Sequence, residues 1–176
     1  RTPQKAASNP RRQQARLLNM KKVILASSSP NRKKILEQVG LEFEVCPSSY
    51  EEDMTLKMLP EQLVQHLSEG KAKDVAEKYK DSDAVVIAAD SIIAFNNEVF
   101  GKPKTSKEAK EMLEMISGKA HSAFTGFTII DLKTGKKVSK YVETKVYFKD
   151  LLPEEIEAYI ATGEPLHVAG AYGIQK

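Results

Sequence analysis

Val23-Ile24-Leu25-Ala26-Ser27-Ser28-Ser29-Pro30-Asn31-Arg32-Lys33-Lys34 decides how the chain is read. The apolar residues form a short buried strand, three serines turn the chain, and Pro30 opens a helix at a position where its missing N–H costs nothing. Ser29 is the expected N-cap. Ile35, Leu36 and Val39 make an expected inward stripe, and Gly40 is the C′ residue that stops the helix. A strand that feeds a serine turn and a helix N-terminus gathers free N–H groups, hydroxyls and the positive end of a dipole, with Arg32 one turn in. That combination suits an anion, phosphate above all. The bland alternative is a capped helix with a solvated basic face, and this stretch by itself leaves both readings open.

The 176 residues suit one domain, or one domain with a lobe, and suffice for a substantial core. No apolar run approaches the length of a membrane span, so no membrane partner is expected. The single cysteine, Cys46, excludes an intramolecular disulfide and reads as a buried strand thiol, in keeping with a reducing cytoplasm. The net charge of +3 is misleading, because residues 1–19 hold five basic residues and no acid. The remainder is slightly acidic, which argues against a nucleic-acid partner. Met20 followed by Lys21-Lys22 looks like a natural start. The preceding segment is expected to be a disordered leader or an expression remnant, with an organelle-targeting peptide as the alternative.

The loop Pro47-Ser48-Ser49-Tyr50-Glu51-Glu52-Asp53 carries three adjacent acids. It is either an ordinary solvated loop or the source of a carboxylate for a hard divalent cation. Pro60 opens a second helix, in which Leu63, Leu67, Lys71 and Val75 share one row. A lysine in that row either snorkels at the edge of the stripe or turns into a cleft to meet an anion.

Ala84-Val85-Val86-Ile87-Ala88-Ala89 reads as a central strand covered on both faces, and it runs straight into Asp90-Ser91. An acid placed there is a site candidate on position alone. Ile92 to Phe95, a turn at Asn96-Asn97 and Glu98 to Phe100 make a hairpin that returns Gly101-Lys102-Pro103 towards Asp90. Thr105 and Glu108 have capping-box spacing before a helix ended by Gly118. A long antiparallel pair follows, from His121 to Asp131 and from Lys137 to Lys149, and Pro153 opens a last helix closed by Gly163. The Gly-rich segment from Gly163 to Gln175 suits close backbone approach to a ligand. P-loop and dinucleotide fingerprints are missing, and His66, His121 and His167 lack zinc-ligand spacing.

In order along the chain, Leu25 to Arg32, Lys71-Ala72, Ala89-Asp90-Ser91, Gly101-Lys102-Pro103, Ser117-Gly118 with His121, Thr125-Gly126, and Gly163-Glu164-Pro165 through Gln175 resemble the Maf family of nucleotide pyrophosphatases. That family is related to the inosine triphosphate pyrophosphatase group. The resemblance implies an α/β fold with a mixed central sheet flanked by helices and two lobes with a cleft between them. It implies hydrolysis of a nucleoside triphosphate between its α and β phosphates, with Mg²⁺ or Mn²⁺ as cofactor, and a homodimer. It makes Asp90 the general base, Glu52 and Asp90 the metal-binding acids, and Ser27, Ser29, Arg32, Lys71 and Lys102 phosphate contacts. Asn31, Ser91 and Gln175 fall at positions where the family discriminates bases.

At those positions the dTTP/UTP branch usually has Arg, Thr and Gln. Gln175 matches, Ser91 keeps a hydroxyl and Asn31 departs. The 7-methyl-GTP branch carries Gln and Glu at the positions of Ser91 and Gln175, although Leu166-His167 is closer to that branch. The expected substrates are dTTP and UTP, with 7-methyl-GTP, or a non-catalytic nucleotide-binding regulator of septation, as alternatives. The family continues beyond Lys176 with two strands and a helix, so residues 20–176 are expected to form a single domain lacking that end.

Overall fold

The computed structural model describes residues 21–96 and 98–173. The leader, Asn97 and Gln175 fall outside them. Among the described residues six strands form one mixed sheet: β1 (Lys22–Leu25), β2 (Glu44–Val45), β3 (Ala84–Phe95), β4 (Glu98–Phe100), β5 (Ala120–Asp131) and β6 (Lys137–Tyr147). Four helices flank it: α1 (Pro30–Gln38), α2 (Pro60–Lys78), α3 (Ser106–Ile116) and α4 (Pro153–Ala161). Two 3₁₀ turns, Glu164–His167 and Ala169–Ala171, follow. The α/β architecture with a mixed sheet is therefore the one expected.

Local chemistry sets the ends of these elements. Pro30, Pro60 and Pro153 each stand at the first helical position, where no intrahelical N–H is lost. Ser29 and Thr105 cap α1 and α3 with their side-chain oxygens. Asn96 turns the β3–β4 hairpin with φ of 50°, a left-handed conformation that Asn tolerates better than most residues.

The sheet runs in the order β2-β1-β3-β5-β6, with β4 also on β3. β1 pairs in parallel with β2 and β3; the other pairings are antiparallel. Along one edge of β3 the partner changes. β1 pairs with it as far as Leu25 opposite Ile87, and β4 takes over from Phe100 opposite Ile93. Between them, residues 88–92 of that edge have no strand partner. β1 runs along β3 and β4 runs against it, so the chain leaves both strands at this gap.

The first face of the sheet carries Ala84, Val86, Ala88, Asp90 and Ile92 in strict alternation, all buried. Helix α2 covers it with Leu63, Val64, Leu67, Ala72 and Val75. The helix comes unusually close at Gly126 on β5, the register partner of Asp90. A Cβ there would lie 2.3 Å from the Val64 carbonyl oxygen. A second core forms around Ile93 and Phe100, closed by Leu113 and Ile116 of α3, Ile156 of α4 and Ala171.

Two expectations fail here. The stripe on α1 is not inward, since Ile35 is 57% and Val39 66% exposed and no residue of the helix is buried. Periodicity reports an apolar face, but nothing among the described residues packs over it. Cys46 is half-buried and lies one residue past β2, its N–H donating to the Leu25 carbonyl at 3.0 Å.

Gly126→Ala is expected to lower stability by about 1–3 kcal/mol through forced separation of α2 and β5, read as a fall of several degrees in the thermal unfolding midpoint.

Candidate active site

Asp90 sits in the middle of β3, level with the gap, in a row otherwise made of Ala, Val and Ile. It is 5% exposed. A carboxylate so placed needs a cation. Lys71 of α2 supplies it: the Nζ donates to Asp90 Oδ1 at 2.5 Å and lies 2.7 Å from Glu52 Oε1. Lys71 is itself 9% exposed, so one buried ammonium bridges two carboxylates from different parts of the chain. Of the two readings left open for this lysine, the structure shows the one turned inward, its ammonium on two acids of the protein itself.

Burial pushes the Asp90 carboxyl above the usual carboxylate range; the Lys71 ammonium opposes this, and the Glu52 charge adds to it. Arg32 is close enough for Asp90 and Glu52 to favour its charged form, while its own burial works in the opposite direction and is the larger effect. The cluster is therefore two cations and two carboxylates, with Glu52 the more open of the acids at 43% side-chain exposure.

The serine turn supplies the side of the site that β1 delivers. Ser27 Oγ is buried and accepts from the Ser29 N–H and from the Arg32 guanidinium, both at 3.2 Å. Ser29 Oγ accepts from the Arg32 N–H at 3.5 Å. Ser27 thus aims Arg32, and Ser29 caps the helix beneath it. Asn31 follows at the second position of α1, half-buried.

The β4 side delivers Gly101 and Lys102. The Gly101 carbonyl accepts from the Gly170 N–H at 2.9 Å, which ties this loop to the 3₁₀ segment. Lys102 is exposed, and no ion pair holds it among the described residues.

Ser91 does not join the cluster. As the next residue of the strand it faces the opposite side of the sheet, exposed, with its Oγ 3.1 Å from that of Thr125. Gln175 lies outside the described residues. Ser27, Arg32, Lys71, Asp90 and Glu52 are together.

Sequence reasoning missed what holds Glu52. Its loop lies along α2, where Asp74 accepts from Ser48 Oγ at 2.9 Å, from the Ser49 N–H at 2.8 Å and from Ser49 Oγ at 3.0 Å. These bonds, with Lys78 at 3.1 Å, keep the Asp74 carboxyl down at about 2. The signal available was only an acid three residues after Lys71 and a Ser-Ser pair before the acids. It has no motif.

A hard divalent cation needs oxygen donors, and Mg²⁺ is usually held by one or two carboxylates with substrate phosphates and water completing the shell. Glu52 and Asp90 meet that requirement. No larger group of His, Cys, Asp and Glu converges among the described residues.

A mixed sheet whose central strand β3 changes partner along one side, beside a buried acid, with a serine turn and a lysine loop issuing at the same place, defines an α/β protein with a charged cluster at a gap in its sheet. The family model for Maf-like proteins matches residues 22–176, and the chain belongs to that family. It is 48% identical over 157 residues to a dTTP/UTP pyrophosphatase of Methanococcoides burtonii, covering 89% of this chain and 80% of that one. The corresponding enzyme of Alkaliphilus oremlandii is 46% identical over 156 residues with the same coverage. That of Bacillus cereus is 47% identical over 157 residues, covering 89% and 75%. No helix among the described residues is long and apolar enough to cross a membrane.

Lys71→Met removes the cation that holds the Asp90 pKa down, so that pKa rises further. An acid with a raised folded pKa binds more protons folded than unfolded, so the variant loses stability as the pH rises through the ordinary carboxylate range. At neutral pH the expected loss is on the order of 3 kcal/mol, measured by thermal unfolding at pH 4.5 and 7.5.

Proposed function

We propose that this protein is a nucleoside triphosphate pyrophosphatase that hydrolyses dTTP and UTP to the monophosphate and pyrophosphate. The observation that carries the reading is the buried Asp90 at the gap along one side of β3, where the serine turn after β1 and the Lys102 loop after β4 both emerge. The names of the relatives in three organisms, at 46–48% identity, supply the substrate class.

In this reading Asp90 takes a proton from water, whose oxygen forms a bond to the α-phosphorus. The bond from that phosphorus to the bridging oxygen breaks, and pyrophosphate leaves with the electron pair. A carboxylate whose pKa is raised above the usual range is a better proton acceptor than an exposed one. Arg32, held by Ser27, and Lys102 from the opposite loop bind the phosphates. Each charge-assisted bond is worth about 1.5–3 kcal/mol. The positive end of the α1 dipole adds to the same field. Lys71 favours the ionised form of Asp90 and orients it, and its ammonium would also meet a substrate phosphate brought beside the two carboxylates.

Glu52 and Asp90 are the residues that would hold Mg²⁺ or Mn²⁺, which when bound supplies charge neutralisation at the phosphates. Asn31 and Gln175 are assigned to the base, with Ser91 acting only from the far face of the sheet. A cytoplasmic location and a homodimer belong to the same proposal and rest on the family resemblance alone.

The test is pyrophosphate release with Mg²⁺ or Mn²⁺ from dTTP, UTP, CTP, 7-methyl-GTP, ITP and the standard purine triphosphates. Preference for dTTP and UTP, with a loss of at least about 10²-fold in Asp90→Asn, is the expected result. Preference for 7-methyl-GTP overturns the substrate, and nucleotide binding without turnover leaves a regulator. The acid limb of kcat/KM is expected above the ordinary Asp value of about 3.9, with activity rising as the pH increases through it.

A further inference from the structure

The loop that brings Glu52 to Lys71 has no regular structure between β2 and α2, yet its position along α2 is closely determined. Ser48 and Ser49 bond to Asp74, and the Tyr50 N–H returns to Ser48 Oγ at 3.0 Å. The Tyr50 ring then lies on the helix backbone at Gly70, where a Cβ would stand 2.4 Å from its Cζ, and its hydroxyl is 3.3 Å from His66 Nε2. Two residues later Glu52 reaches Lys71. After it, Asp53 Oδ1 accepts from the Thr55 N–H and hydroxyl at 2.9 and 2.6 Å. Before Glu52, Ser48, Ser49 and Tyr50 each attach to α2, the helix that carries Lys71.

Asp74 is the centre of this fastening. It follows Lys71 by three residues, so the two side chains leave α2 on neighbouring faces, one towards the sheet and one towards the loop. Its oxygens accept three bonds from two consecutive loop residues, one of them from a backbone N–H. Without them the Ser49 N–H loses its acceptor, and the turn is tied to α2 only by Lys78 Nζ on Ser49 Oγ at 3.4 Å and by Tyr50 against Gly70 and His66.

We propose that Asp74 is a positioning residue, which through the Ser48-Ser49 turn holds Glu52 against the Lys71–Asp90 pair. It touches neither substrate nor metal. The proposal rests on the pyrophosphatase reading for its effect on turnover, and on the hydrogen-bond geometry for its effect on the loop.

Two measurements separate these. The first is amide hydrogen exchange across residues 48–52 and the side-chain carboxyl chemical shift of Glu52, in wild type, Asp74→Ala and Asp74→Asn. Asp74→Ala is expected to speed exchange at Ser49 and to move the Glu52 shift to its solvent value. Asp74→Asn, which keeps one acceptor for the Ser49 N–H, is expected to retain part of both. The second is a double-mutant cycle on UTP hydrolysis. Asp74→Ala is expected to lower kcat about tenfold, in the range seen for groups that orient a metal-site ligand, with KM changing less. Combined with Glu52→Gln it is expected to add nothing further.

Multiplicative losses in the double variant, or unchanged Ser49 exchange and Glu52 shift, overturn the proposal. Should the wild-type protein turn over no triphosphate, the function reading fails, while exchange and the carboxyl shift still decide the role of Asp74. Ser48→Ala with Ser49→Ala repeats the test without touching α2, should Asp74→Ala fold poorly.

Discussion

The ammonium of Lys71 between Asp90 and Glu52 is the constraint on which the rest of the molecule depends. It fixes where α2 lies on the sheet, because a lysine side chain must reach a carboxylate in the middle of a strand. It also fixes where an otherwise irregular loop ends. Stability is poorly served by it, since desolvating the Lys71 and Asp90 charges costs several kcal/mol per ion before their attraction offsets the loss. An alanine at position 90 would continue the pattern of Ala84 and Ala88 without any such cost. The retained cluster therefore speaks for chemistry.

The close approach of α2 at Gly126 serves the same end. Gly126 is opposite Asp90 in the ladder, and its missing side chain lets the helix backbone rest on the strand backbone. Lys71 is then near enough to reach Asp90 from the buried row that also holds Leu67 and Val75. Ser68 and Thr128, both fully buried, satisfy one another at 2.9 Å along the same contact. The helix–sheet interface is thus apolar at its ends and polar beside the site.

Much of this was legible in the sequence. Proline at a first helical position is a local signal, and Pro30, Pro60 and Pro153 read true because nothing distant competes with it. The uninterrupted apolar run into Asp90 gave the central strand. Ile35 and Val39 misled, because a stripe tells which face would be buried but not whether anything covers it. Ser91 shows the opposite case: strand alternation alone places it across the sheet from Asp90, and the family motif drew it into the site regardless. Lys71 was marked as out of place in its row, but its partners lie 19 residues apart from it in either direction along β3 or the loop's fold, and pairing at that range leaves no periodic trace. Asp74 left none either.

The gap in the edge of β3 has a mechanical meaning. Arg32 is carried by the part of the molecule built on β1, and Lys102 by the part built on β4; β3 and β5 are the strands that run continuously through both. A polyanion held by both cations would act as a strut across the two parts. Its affinity would then appear as resistance to their separation, since any ligand that prefers the closed arrangement stabilises it by mass action.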